Sequence, residues 1–460
     1  MTRQRGLGGL SGGAKDQLLA DLRANKKATK DRRPPAARAS AKPAAKTAFD
    51  FSELPAVKQF KMQRAAADMM GISNPFFRPH DGIARGTSMI EGREMINFAS
   101  YNYLGLNGHP EVSAAAKAAI DTYGTSVSAS RIVAGERPIH RELERRLADL
   151  HGVEDAIAIV SGHATNVTAI GTLMTPKDLI ICDALIHNSI TEGVKLSGAA
   201  RMTFPHGDLD ALDALLTKNR HGYEHVLIAV EGLYSMDGDF PDLPRLIDIK
   251  RRHDAWLLID EAHSIGVLGE HGRGIAEYYG VDPNEVEMWM GTFSKTLSGC
   301  GGYIAGSSAL VDYLKVAAPG FVFSVGLSAP LAAAVLTSID IMLREPERVR
   351  RLRDNGHLFL ELAKEKGLDT GPSAGYSVIP VIVGDSIQSV LLSNRLLEKG
   401  VNALPIIFPA VAEKAARLRY FITSEHTPEQ IRTTIDLTAE CLKEVRSEGP
   451  QWSKILSKSS

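Results

Sequence analysis

The sequence predicts an α/β fold, with a large domain built on a mostly parallel sheet between helices and a smaller C-terminal α+β domain. Three observations carry this. Short apolar runs at 156–160, 179–182, 226–230 and 256–259 alternate with helical patterns, one of which places Leu143, Leu147 and Leu150 on a common face. Runs that are apolar throughout belong to strands buried on both faces, and strands separated by helices pair in parallel. Beyond 344–353 the pattern changes to a strand at 378–383 and a helix at 387–397.

Taken in order, residues 1–48 read as a basic tail. Positions 1–47 hold twelve Lys/Arg against three Asp, and Arg32-Arg33-Pro34-Pro35-Ala36-Ala37-Arg38 cannot build a core. Leu18, Leu19 and Leu22 would share one face of a short helix at 15–27. Two readings of the tail are open: a solvated segment, or a docking element for a carrier protein or an anionic membrane surface. Residues 49–98 are expected to pack on the small domain, 99–343 to form the large domain, 344–446 the small domain and 447–460 a C-terminal tail.

The whole chain carries 53 Lys/Arg and 54 Asp/Glu, a balance that gives no reason to expect nucleic acid as a partner. Cys182, Cys300 and Cys441 have neither metal-ligand spacing nor the pattern of a disulfide framework, so no metal is expected. Reduced thiols fit a cytoplasmic location. No apolar stretch reaches the roughly 18 residues of a membrane span, and the N-terminus lacks a secretory apolar core.

In a parallel sheet, ligands sit at the carboxyl ends of the strands. Asp260-Glu261-Ala262-His263 falls at such an end, and Gly291-Thr292-Phe293-Ser294-Lys295 follows. An acid and a histidine, then a lysine flanked by hydroxyls, is the equipment for holding pyridoxal 5'-phosphate (PLP). Lys295 supplies the Schiff-base amine, and Asp260 keeps the pyridine nitrogen protonated. Thr292 and Ser294 hold phosphate oxygens, while His263 reaches the phenolic oxygen. Gly299, Gly301 and Gly302 permit close backbone approach.

The turn Ser161-Gly162-His163-Ala164-Thr165-Asn166 precedes a helix, so Gly162 and His163 can offer backbone amides to phosphate. His187 follows another strand, where an imidazole can stack on the cofactor ring and assist proton transfer. Ser235, in Glu231-Gly232-Leu233-Tyr234-Ser235-Met236-Asp237-Gly238-Asp239, can join His263 near the phenolic oxygen. Arg419 offers a bidentate fork to a substrate carboxylate.

Together with Asn102-Tyr103-Leu104-Gly105-Leu106 and 417–427, these segments resemble the α-oxoamine synthases. That fold-type I family of PLP enzymes includes serine palmitoyltransferase and 8-amino-7-oxononanoate synthase, and the resemblance covers about residues 50–445. It implies a homodimer with active sites at the subunit interface, Ser324 contacting the neighbour's phosphate, and Tyr101 and Asn102 near the amino acid. The implied reaction is a decarboxylative condensation of serine, alanine or glycine with an acyl thioester, Lys295 also serving as general base.

One departure concerns the arginine and two prolines that biotin- and sphingolipid-pathway members carry upstream of the final arginine. Here the stretch is Leu404-Pro405-Ile406-Ile407-Phe408-Pro409-Ala410-Val411, an apolar loop. With Gly124-Thr125-Ser126-Val127-Ser128-Ala129-Ser130-Arg131 it looks like polyketide-pathway members, which points to acyl carrier protein beside acyl-CoA as donor. Glu425-His426-Thr427 looks like serine palmitoyltransferase. An aminotransferase or amino-acid lyase on the same fold is the alternative, and a non-enzymatic PLP-binding protein a third reading.

Overall fold

The computed structural model describes residues 50–69 and 72–448. The expected basic tail, its helix at 15–27, and all but the first two residues of 447–460 lie outside these. The chain falls into two compact units that part between Met69 and Met70. In the first, Asp50 accepts a hydrogen bond from Ser52 N at 2.8 Å and caps a single turn, Phe51–Glu53. The helix Pro55–Met69 follows.

The second unit carries three sheets among the described residues. Strands β1 (Thr87–Ile90) and β2 (Arg93–Asn97) form a hairpin. The central sheet holds β3 (Asp155–Ile159), β4 (Leu179–Asp183), β5 (Ala200–Phe204), β6 (Val226–Glu231), β7 (Trp256–Asp260), β8 (Met288–Thr292) and β9 (Gly302–Gly306). Their order is β3-β9-β8-β7-β6-β4-β5, parallel except for β9, which runs against both its neighbours. A third sheet pairs β10 (Val378–Ile382), β12 (Leu404–Ile406) and β13 (Arg417–Phe421), while β11 (Val401–Asn402) extends the first hairpin through β2.

The two faces of the central sheet carry separate apolar cores. Along β4, Leu179 and Ile181 join one core while Ile180 and Cys182 join the other. In β6, Val226, Ile228 and Val230 face one way and Leu227 and Ala229 the other. This period of two within an all-apolar run is the signature of a strand covered twice. Helices Gly162–Leu173, Asn188–Ser197, Leu209–Asn219 and Leu243–Arg252 are the crossovers. Their starts are fixed by local caps: Ser161 accepts from Ala164 N, Asp208 from Ala211 N and Asp242 from Arg245 N.

One expectation needs correction. The stretch at 404–411 is not a loop throughout: Leu404–Ile406 is an edge strand paired with 417–419, and the edge tolerates Pro405. Gly302 opens β9. A Cβ there would lie 2.8 Å from Gly162 Cα, so its bare backbone lets the helix at Gly162–Leu173 dock on the sheet. Among the described residues no helix is long and apolar enough to cross a membrane.

Candidate active site

The ends of β4, β6 and β7 and the β8–β9 connection bring most of the expected residues together. Asp260 closes β7 and is buried; its Oδ2 accepts from Asn166 Nδ2 at 2.8 Å and its Oδ1 from Ala262 N at 3.0 Å. Asn166 Nδ2 also donates to Ser189 Oγ at 2.9 Å, and Ser189 Oγ meets His187 Nδ1 at 2.7 Å. A continuous run of hydrogen bonds thus joins the acid to the exposed imidazole that begins the helix Asn188–Ser197. His163 lies beside it, the two ring centres 6.4 Å apart.

His263 is buried, with Nδ1 at 2.7 Å from Tyr103 Oη and its ring parallel to Phe421. Burial, with the positive charges of Lys295, Arg419 and His187, holds its pKa well below the ordinary histidine value. The imidazole is therefore neutral. Burial raises the Tyr103 phenol, which stays protonated.

Lys295 is half-buried, its Nζ 5.9 Å from the centre of the Tyr101 ring. It lines a cavity of about 330 Å³ with Tyr101, Asn102, Ser294 and Ser298. Burial lowers its pKa to about 8, against the opposing pull of Asp260 and Glu231. Asn102 is held by Ala84 O and Asn107 N, at 3.1 and 3.0 Å. Thr292 Oγ1 is 3.0 Å from Ser294 Oγ, and a Cβ on Gly162 would lie 2.6 Å from Thr292 Oγ1. The hydroxyl pair therefore abuts the start of the helix Gly162–Leu173, whose first amides lack intrahelical partners.

Arg419, on β13, donates from Nη1 to Ser235 O at 2.8 Å and lies over the Phe421 ring, while its buried Nε has no partner. Ser324 is not brought to this cavity. It lines a separate surface pocket with 128–130, Ile132 and Val133, next to a backbone bond from Gly326 N to Ala129 O at 3.0 Å.

Sequence reasoning missed the supporting residues Asn166, Ser189, Tyr103 and Glu231. All four stand inside segments already singled out, Ser189 at the end of 183–189, but spacing does not reveal what each side chain touches. Glu231 pairs in register with Asp260, and burial together with that neighbour raises its pKa to about 8. Its Oε1 is buried without a partner.

The donor set fits PLP. A buried carboxylate braced by an amide, a neutral imidazole, a lysine of depressed pKa, and hydroxyls at a helix start match the pyridine nitrogen, phenolic oxygen, aldehyde and phosphate in turn. The partnerless Asn166 Oδ1, Glu231 Oε1 and Arg419 Nε are polar atoms still without hydrogen-bond partners.

Residues 93–437 match the family model for class I and II aminotransferases. The chain is 38% identical over 399 residues to 8-amino-7-oxononanoate synthase of Symbiobacterium thermophilum, covering 87% of this chain and 98% of that one. It is 41% identical over 339 residues to the 4-hydroxy-2,2'-bipyrrole-5-methanol synthase PigH of Serratia sp., covering 74% of this chain and 52% of PigH, so it spans about half of that relative. Sphingomonas wittichii serine palmitoyltransferase superposes with a TM-score of 0.82 at 30% identity, covering 86% of this chain and 99% of that one. A structure of SPT with a PLP internal aldimine superposes with a TM-score of 0.81 at 28% identity, covering 86% and 99%.

The fold is that of the fold-type I PLP-dependent transferases. Within that class, the chain belongs to the α-oxoamine synthase family, and it is a PLP-dependent acyltransferase.

A pH dependence follows from Lys295. Only the unprotonated amine attacks an aldehyde, and a pKa lowered to about 8 makes it available at lower pH than an ordinary lysine. PLP capture by the apo-protein, followed by stopped-flow absorbance, is expected to quicken about tenfold per pH unit up to about 8 and then level off. A rise continuing to pH 10 would mean an unshifted lysine.

Proposed function

We propose that this enzyme condenses a small amino acid (serine, alanine or glycine) with an acyl thioester, releasing carbon dioxide and free thiol and yielding an α-amino ketone. The observation that carries this reading is the placing of Lys295, with its depressed pKa, in one compact site with Asp260, His263 and the partly unpartnered Arg419. Likeness to two synthases and to serine palmitoyltransferase supports it. When bound, PLP withdraws electrons from the α-carbon of the amino acid and so acidifies its proton.

The chain's own residues then divide the work. Asp260, braced by Asn166, holds a proton on the pyridine nitrogen. Tyr103 Oη–H donates to His263 Nδ1, which leaves the single proton of the neutral ring on Nε2, facing the phenolic oxygen with Ser235. Gly162, His163, Thr292 and Ser294 hold the phosphate, and His187 covers the ring. Arg419 turns its free Nε edge to the substrate carboxylate. Lys295 would hold the cofactor through its amine, and the same Nζ would take up the α-proton of the amino acid. Tyr101 and Asn102 bound the amino-acid side of the cavity.

The working unit in this reading is a homodimer, with Ser324 reaching the partner's phosphate. The acyl donor is acyl-CoA or acyl carrier protein, and the likeness of 124–131 and 404–411 to polyketide-pathway members favours the carrier protein. The basic tail keeps its two readings, a solvated segment or a docking element for that carrier or for an anionic membrane surface, and the location is cytoplasmic.

The test is incubation of the holoenzyme with each amino acid and a set of acyl thioesters, measuring free thiol and carbon dioxide. Stoichiometric release of both is expected with one amino acid. Amino-group transfer to a keto acid without thiol release would instead make the protein an aminotransferase.

A further inference from the structure

His206 lies in Pro205-His206-Gly207-Asp208, just beyond β5, and none of the roles above uses it. Its ring stands between two carboxylates from different strand ends: Nδ1 is 2.9 Å from Asp183 Oδ1 and Nε2 is 2.9 Å from Asp239 Oδ2. Asp183 closes β4, is buried, and also accepts from Leu185 N at 2.7 Å and Gly207 N at 3.0 Å. Asp239 closes the segment 231–239, where its carbonyl accepts from Tyr234 N at 2.8 Å. The Tyr234 ring packs edge-on against the imidazole, with centres 4.5 Å apart.

Two carboxylates can both be satisfied only by a ring that donates from both nitrogens, which is the imidazolium. The groups facing the ring agree with this: Asp183 and Asp239 are its charged neighbours, and together they raise its pKa to about 10 in spite of burial. The segment 183–189 carries His187, and 231–239 carries Ser235. The far side of 231–239 is fixed separately. Arg417 pairs with Asp237, Arg419 donates to Ser235 O, and Gly238 (φ +72°) sits so close to Val378 that a Cβ would lie 1.9 Å from its carbonyl oxygen.

We propose that His206 is a positioning residue, an imidazolium tie between the strand-end segments that carry His187 and Ser235, setting the spacing across the cofactor site. The inference rests on the roles proposed for those two residues. A displacement of even an ångström at such a site costs up to about a hundredfold in rate. The tie therefore acts on geometry at a distance and touches no reacting atom.

The experiment compares PLP-loaded wild type, His206→Gln and the double variant His206→Gln/Asp239→Asn. In the single variant, one amide faces two carboxylates and can donate well to only one. In the double variant, the amide at 206 can donate to Asp183 and accept from the new amide at 239, so donors and acceptors match again. Expected for the single variant is unchanged PLP content, a visible circular-dichroism band at least halved, and about tenfold weaker binding of serine, alanine or glycine by spectral titration. The double variant should recover most of the band and the affinity.

A single variant indistinguishable from wild type, or a double variant no better than the single, overturns the proposal. If His206→Gln does not fold, the double variant decides: a wild-type band supports the tie, and a diminished band or failure to fold overturns it. Failure of wild type to respond to any of the amino acids would count against the functional reading above, an outcome distinct from a responsive wild type with an unaffected variant.

Discussion

Lys295→Ala is expected to abolish the visible absorption of the PLP-loaded protein and to lower turnover by about 10⁴-fold, the upper end of what a positioned base contributes alone. Among the described residues lining the cavity, Lys295 is the only amine. No neighbour can take over holding the aldehyde or accepting the α-proton. The fold should survive. The lysine's pKa is depressed, so the unfolded chain binds its proton more readily than the folded one, and below about pH 8 the charged side chain costs stability that truncation removes. The variant should therefore melt no lower than wild-type apo-protein at pH 7. A variant that keeps both the visible band and its response to amino acids would remove Lys295 from its proposed place.

Asp260→Asn should produce the second largest effect, a loss of about 10³-fold in turnover with PLP still bound. Two opposite charges about 4 Å apart at an effective dielectric of about 20 interact by about 4 kcal/mol, and each 1.36 kcal/mol is a factor of ten in rate. The substitution keeps the shape and Asn166 Nδ2 can still donate to the amide oxygen, while the new amide N–H faces Ala262 N, so the loss combines the charge with one backbone hydrogen bond. Asp260 raises the Lys295 pKa, so its neutralisation should move the levelling-off of PLP capture to lower pH. Activity within tenfold of wild type, together with an unmoved capture profile, would refute the role given to Asp260.

The central strands were legible because burial on both faces leaves all-apolar runs, and 156–160, 179–182, 226–230 and 256–259 each match a strand to within a residue. The antiparallel β9 was not, because Gly302-Tyr303-Ile304-Ala305-Gly306 carries a glycine at each end and looks like part of the loop after Lys295. Strand direction leaves no mark in periodicity. Likewise β12 hid in an apolar stretch containing two prolines. The motif residues stood out because their chemistry is unusual at strand ends, whereas Asn166, Ser189 and His206 are distinguished only by what they touch across segments far apart in sequence. Such contacts are properties of the folded geometry alone.

The connection between β8 and β9 has an evolutionary consequence. Phe293 N bonds Gly301 O at 2.9 Å and Gly299 N bonds Phe293 O at 2.8 Å, so the strand reversal closes on itself and each position has one fixed outlook. Ser294 is exposed, whereas Thr296 is buried, with its Oγ1 on Ile265 O at 2.8 Å and its methyl where a Cβ on Gly266 would collide. An amine moved one codon forward would be driven into a packed wall. A lineage that lost this lysine could not regain it one codon downstream.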